Sequence, residues 1–174
     1  MRVSCRLGVV VAAAAMLHIG GGQATAQIEL GGAASVSNLR GGTFGLGGRL
    51  GVPIKRGSFG AGVRLEAAVD YYWPSCSSVN CDAIGTSLDV VFQNQVFGQA
   101  HGYFGLGGTY QNFKLVRDDE TVLDGDSWGV NFLVGSRYAG RPGLLPFVEI
   151  RWTLMDDIDN QWAVVLGTTV TLGR

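Results

Sequence analysis

The sequence predicts an all-β fold, an eight-stranded antiparallel up-and-down transmembrane β-barrel that follows a cleaved signal peptide. Three observations carry this expectation. Apolar and polar residues alternate with period two through eight segments. The acids inside those segments share one parity, and the other acids gather at one set of connections. All four tryptophans, Trp73, Trp128, Trp152 and Trp162, take the apolar parity near the same strand ends.

The alternation is clearest at the carboxy end. In residues 161–172, Trp162, Val164, Leu166, Val170 and Leu172 share a face, while Gln161, Ala163, Gly167, Thr169 and Thr171 share the other. Residues 145–154 set Val148, Ile150, Trp152 and Leu154 against Glu149, Arg151 and Thr153. Taken in order, the earlier segments are 28–37, 43–54, 59–73, 84–92, 100–115 and 126–138. Glu29 lies in the first and Arg49 in the second, each opposite its apolar face. In the third, Arg64, Glu66 and Asp70 oppose Val63, Leu65, Val69, Tyr71 and Trp73. Asp89 opposes Leu88, Val90 and Phe92 in the fourth. The fifth sets His101, Thr109 and Gln111 against Phe104, Leu106 and Tyr110. Arg137 and Asn131 oppose Trp128, Val130, Phe132 and Val134 in the sixth. Each segment is long enough for the roughly 9–11 residues of a tilted spanning strand.

Arg2 and Arg6 begin the chain, residues 7–19 are apolar, and Ala24-Thr25-Ala26 offers a small-residue cleavage site. This is the pattern of a secretory signal peptide. Residues 1–26 are expected to leave, so that residues 27–174 form the barrel. No later run approaches the roughly 18 apolar residues of a spanning helix. Glycine contributes 28 of 174 residues and recurs inside the alternating segments, where it marks close strand packing or small lumen-facing positions.

Charge separates a membrane barrel from a soluble one. Glu29, Glu66, Asp70, Asp89 and Glu149 share the polar parity with Arg49, Arg64, Arg137 and Arg151, so five acids face four arginines. The other nine acids, from Asp82 to Asp159, lie at or beside the connections after segments three, five and seven. A soluble lipocalin-like barrel would have an apolar inside and a polar outside; a membrane barrel reverses this. Lys114 is the exception to parity, at a strand end where its amine can snorkel to the interface. The tryptophans then form an aromatic girdle. With the amino terminus in the periplasm, the acidic connections face outside the cell.

On these residues the chain resembles the small outer-membrane β-barrel family that includes the OmpA transmembrane domain and OmpX. Gly167, Val170 and Leu172 resemble that family's carboxy-terminal assembly signal, from which Val165 and Gly173-Arg174 depart. The resemblance implies a bacterial outer-membrane location, lipid around the barrel, and recognition of the last strand by the barrel-assembly machinery. It also implies a monomer with an extracellular partner of unknown identity.

Catalytic signals are sparse. His101 is the only histidine after the signal peptide, and its position reads as part of a polar lumen. No His/Cys metal spacing, phosphate-binding glycine loop or basic aromatic patch for nucleic acid is present. No cofactor is expected. The acidic stretches 117–120 and 156–160 offer oxygen ligands for a divalent cation without completing a calcium loop. Cys76 and Cys81 are spaced for a disulfide in an oxidising compartment. The function expected is an integral structural or surface-interaction protein with a lumen closed by charged side chains. A narrow ion-conducting pore and a lipid-modifying enzyme are the alternatives.

Overall fold

The computed structural model describes residues 27–39, 42–56, 61–74, 80–117, 120–140, 143–156 and 158–172. The expected signal peptide lies outside them. Eight strands follow in order: β1 (Ile28–Ser37), β2 (Thr43–Arg56), β3 (Gly62–Trp73), β4 (Asn80–Phe97), β5 (Ala100–Arg117), β6 (Glu120–Tyr138), β7 (Leu144–Met155) and β8 (Gln161–Leu172). Each pairs antiparallel with its neighbours, and β1 also pairs with β8 over Ile28–Leu172 to Ser37–Ala163. The sheet is therefore a closed barrel, as the alternation predicts. Closure satisfies the backbone along the ladders without exposing a sheet edge, which a strand in hydrocarbon requires.

The ladders are staggered. Crossing them from Glu29 through Gly51, Glu66, Asp89, Gly107, Asn131 and Thr153 leads to Gln161. Because Ala163 faces Ser37, the walk returns to the line of β1 at Leu39, ten residues beyond its start. A stagger of this kind tilts the strands by roughly 35–45° and leaves an eight-stranded barrel just wide enough to be filled by side chains.

Two connections read from composition are shorter than expected. Residues 93–99 are mostly strand, since β4 runs to Phe97 and only Gly98-Gln99 turn the chain, Gly98 at φ +55. Residues 117–125 are mostly strand as well: β5 and β6 remain paired out to Arg117–Glu120. The polar run Arg117-Asp118-Asp119-Glu120 reads as a loop, but its neighbours pair with each other without needing a buried face. The β6–β7 ladder begins only at Gly129–Met155, so the outer part of β6 stands above its β7 neighbour. Among the described residues no helix is long and apolar enough to cross a membrane, which says nothing of strands.

The outside of the barrel is apolar. Leu46, Leu106, Phe132, Val134, Ile150 and Leu166 are each about half exposed. The inside carries the polar residues, with Arg49, Arg64, Glu66, Asp70, Asp89, Arg137, Glu149 and Arg151 all buried. This inversion of a soluble core matches a lipid-facing surface around a polar lumen.

Candidate functional site

Among the described residues, charged side chains converge in the lumen. Its centre is Arg151 on β7. The Arg151 Nε donates to Glu149 Oε1 at 3.2 Å and its Nη1 donates to Ser87 Oγ at 2.7 Å. Its Nη2 lies 3.1 Å from Glu149, 3.4 Å from Asp89 and 3.9 Å from Glu66. One guanidinium thus faces carboxylates from β3, β4 and β7. Asp89 also accepts from Ser87 Oγ and Asn131 Nδ2, and Asn131 accepts from Thr153 Oγ1 at 2.8 Å. A buried charge is tolerated only when paired and hydrogen-bonded, and this network does both.

Three further pairs extend it. Arg49 Nη1 donates to Asp70 Oδ1 at 2.8 Å. Arg64 donates to Glu66 through Nε and Nη2 and to Gln93 through Nη1. Arg137 meets Glu29 at 2.5 Å near the end of the barrel where β1 starts and β8 finishes. All nine lumen charges read from parity therefore point inward, and each lies within 4 Å of an opposite charge.

Tyr103 is the residue that the alternation left unremarked. Its ring lies beneath the Arg64 guanidinium at 4.9 Å and near that of Arg137 at 6.0 Å, and its hydroxyl donates to Glu149 Oε2. Cation–π contact of this kind strengthens when water is excluded. Tyr103 packs with Val91 and Leu133; Phe147, Val165, Ala33 and Ala163 form a second apolar cluster inside the lumen. Parity with His101 was the signal available for Tyr103. Arg151 also borders a small polar pocket of about 30 Å³, lined besides by Asp70, Tyr72, Ser87, Gln111, Thr153 and Gln161, among others. That volume holds about one water molecule.

The glycines seat these side chains. A Cβ on Gly47 would come within 2.0 Å of Asp70 Oδ1, and one on Gly107 within 2.3 Å of Asp89 Oδ1; on Gly135 it would strike the Tyr103 ring. Gly48 faces outward into open space. Gly47→Ala is therefore expected to destabilise the barrel by about 1–3 kcal/mol through overpacking. Gly48→Ala should stay within about 0.5 kcal/mol of the parent. Urea unfolding of the two variants in lipid vesicles measures the contrast, and equal midpoints would remove this account of the glycines.

The tryptophans all face outward: Trp73, Trp128, Trp152 and Trp162 are exposed. Trp128 packs against Tyr110 and Trp73 against Phe44 and Tyr71, while Trp152 faces Trp162 across the β7–β8 ladder. Lys114 lies four residues beyond Tyr110 and stands between Asp82 and Asp124 in register. His101 points inward at the terminal end, beside Arg137 in register. Cys81 faces Leu115; Cys76 lies outside the described residues, as do the side chains of the acidic stretch 117–120. Among the described residues, no group of three His, Cys, Asp or Glu is arranged to hold a metal ion.

Known structures share this architecture. Ail, the attachment invasion locus protein of Yersinia pestis, superposes with a TM-score of 0.65 at 15% identity, covering 84% of this chain and 97% of Ail. The fold is that of the small outer-membrane β-barrels. Neisserial surface protein A matches with a TM-score of 0.62 at 14% identity over 86% of this chain and 97% of its own. The outer-membrane enzyme PagL matches at 0.50 and 12% identity over 82% and 98%. Ail has also been solved in complex with the heparin analogue sucrose octasulfate. Comparison with family models and with curated proteins finds no match.

Proposed function

We propose that this chain is an integral, monomeric protein of the bacterial outer membrane with a structural or surface-interaction role and a lumen closed to solute. The Arg151 network carries the reading, because a guanidinium held by three carboxylates in an eight-stranded barrel leaves no continuous aqueous path. The termini face the periplasm, the tryptophans form the girdle at the opposite interface, and lipid covers the band between. The last strand, β8, meets the assembly machinery during insertion. The reading is non-enzymatic and without a cofactor: the fold is shared with both surface proteins and an enzyme, so it does not itself decide. His101 supports the choice by standing at the terminal end, away from outer-leaflet acyl chains.

The extracellular end is acidic by sequence, with nine acids against Arg40, Lys114 and Arg117. A sulfated glycan of the kind whose analogue Ail holds would be repelled there, so a basic partner surface fits better. Nucleic acid is disfavoured for the same reason.

The test is outer-membrane fractionation followed by a gel run with and without heating. A folded barrel is expected to migrate differently from its boiled form and to remain with the outer membrane. Soluble recovery from the periplasm with unchanged mobility would overturn the membrane reading. Planar-bilayer recording should show no steady conductance; discrete channel openings would favour the ion-pore alternative instead.

A Cys76–Cys81 disulfide belongs to this proposal. Cys81 is disulfide-bonded, which supports it. Closing so short a loop stabilises by under about 3 kcal/mol, so the Cys76→Ser, Cys81→Ser double variant should keep the heat-modifiable band. Thiol labelling of the unfolded, unreduced mature chain is expected to find no free cysteine. Two labelled thiols per chain would disprove the bond.

A further inference from the structure

Beyond the Arg151 layer, towards the tryptophan-bearing end, an uncharged strut crosses the lumen. The Gln161 side-chain amide on β8 donates to Gln111 Oε1 on β5 at 2.8 Å. β6 and β7 stand between those strands in the sheet, so the bond spans the interior instead of one ladder. Register sets its level. On β8, Ala163 faces Arg151 and Gln161 faces Thr153; on β5, Thr109 faces Ser87 and Gln111 faces Gly85. The strut therefore lies one inward-facing position beyond Ala163 and Thr109, the partners of Arg151 and Ser87. Both glutamines line the polar pocket of about 30 Å³ that Arg151 borders. The pocket is thus a chamber between a charged floor and an amide roof.

The charges on its wall are already matched. Arg49 holds Asp70 at 2.8 Å, and Arg151 meets Glu149 and Asp89 at 3.1 and 3.4 Å. Its neutral groups keep capacity to spare. Thr109 Oγ1 donates to Thr86 O and Thr153 Oγ1 donates to Asn131 Oδ1, which leaves each hydroxyl oxygen able to accept. Matched charges and neutral hydrogen-bonding groups around so small a space suit an uncharged polar guest near the size of water.

The two halves of the roof are held differently. Gln111 is 4% exposed in mid-strand, whereas Gln161 begins β8 and is partly exposed. One neutral hydrogen bond biases an equilibrium by only roughly two- to tenfold. The floor is a buried ionic network, and so is the tie at the other end, where Arg137 and Glu29 join β6 to β1.

We propose that Gln161 is a movable lid over this chamber, which takes a small uncharged polar guest from the tryptophan-bearing end and stops it at Arg151. The inference deepens the closed-lumen reading and rests on it for the floor. Turning the Gln161 side chain away from Gln111 opens the chamber without unpairing any charge.

The folded mature chain in lipid nanodiscs, where both ends meet solvent, tests this with iodoacetamide as the neutral probe. Thr109→Cys on the Cys76→Ser, Cys81→Ser background puts one thiol in the chamber wall, and intact mass follows its alkylation. Adding Gln161→Ala should speed the reaction by about three- to tenfold, the weight of one neutral hydrogen bond. Adding Glu29→Gln instead should leave the rate unchanged, because the Arg151 floor lies between. Thr153→Cys, a second wall position, should respond in the same way, and the heat-modifiable band checks that each chain is folded. Iodoacetate, of similar shape but charged, should lag iodoacetamide several-fold more at Thr109→Cys than at the exposed Lys114→Cys. Equal rates with and without Gln161→Ala, or no alkylation at either wall position in any chain, would overturn the lid. Iodoacetate keeping pace at both sites would overturn the uncharged guest. Acceleration by Glu29→Gln would show entry from the other end; that result defeats the floor, and the closed lumen with it, separately from the lid.

Discussion

Replacing Arg151 by methionine is expected to destabilise the folded barrel by about 3–5 kcal/mol, the cost of breaking a buried ion pair from one side. Methionine approximates the length of the side chain, so the loss is chiefly electrostatic. Glu149 would lose its partners at 3.1 and 3.2 Å, Asp89 would lose its guanidinium at 3.4 Å, and Ser87 would lose its donor at 2.7 Å. Arg151→Lys should fall between parent and Arg151→Met. An ammonium keeps the charge but cannot reach Ser87 and Glu149 with the planar fork that the guanidinium presents. Adding Glu149→Gln to Arg151→Met should recover part of the loss, because one of the stranded carboxylates disappears. Equilibrium unfolding in urea with lipid vesicles measures these chains together with the Glu149→Gln single variant, which closes the cycle. A methionine variant within about 1 kcal/mol of the parent, with no coupling to Glu149→Gln, would mean that water already screens the network.

Much of this site could be read before any coordinates, for a physical reason. In a strand the side chain alternates by geometry alone, so parity assigns a face without knowledge of the neighbours. That argument placed Glu29, Arg49, Arg64, Glu66, Asp70, Asp89, Arg137, Glu149 and Arg151 on a common face, and it gave β1 and β8 their bounds. Parity does not supply register. That Arg151 rather than Arg49 is the hub depends on the stagger that brings Ser87, Asp89 and Glu66 to its level. No local pattern encodes a stagger accumulated over eight ladders. The connections failed for a different reason. Polar, acidic residues at 117–125 read as loop because loops are usually polar, yet a hairpin outside the membrane needs no apolar face to remain paired. At 93–99, Gln93 and Gln95 looked like loop residues, although an inward-facing glutamine suits a polar lumen, where Gln93 accepts from Arg64. Tyr103 was overlooked because an aromatic residue was expected outside. The lumen contains apolar and aromatic fillers as well as charge.

A charge placed on the outer face distinguishes the membrane barrel from a soluble one, and its size depends on depth. Leu106 on β5 is half exposed and lies in register between Val90 and Phe132. It falls well inside the apolar band, between the terminal end and the tryptophan-bearing end. Leu106→Arg is expected to cost about 2–4 kcal/mol, the value for arginine at the bilayer midplane. Ile84 on β4 also faces outward, but it is level in register with Tyr71 and Asn112, close to the aromatic residues at the strand ends. There the guanidinium can reach the headgroups, and Ile84→Arg should cost only about 0–1 kcal/mol. A water-exposed barrel surface would give small and similar effects at both positions, since surface substitutions usually stay within about 0.5 kcal/mol. Reversible unfolding of both variants in vesicles therefore yields a difference in midpoint that neither value gives alone. If Leu106→Arg unfolds at the parent's denaturant concentration, the apolar outer face is not in contact with hydrocarbon, and the lipid-facing reading of the barrel is wrong.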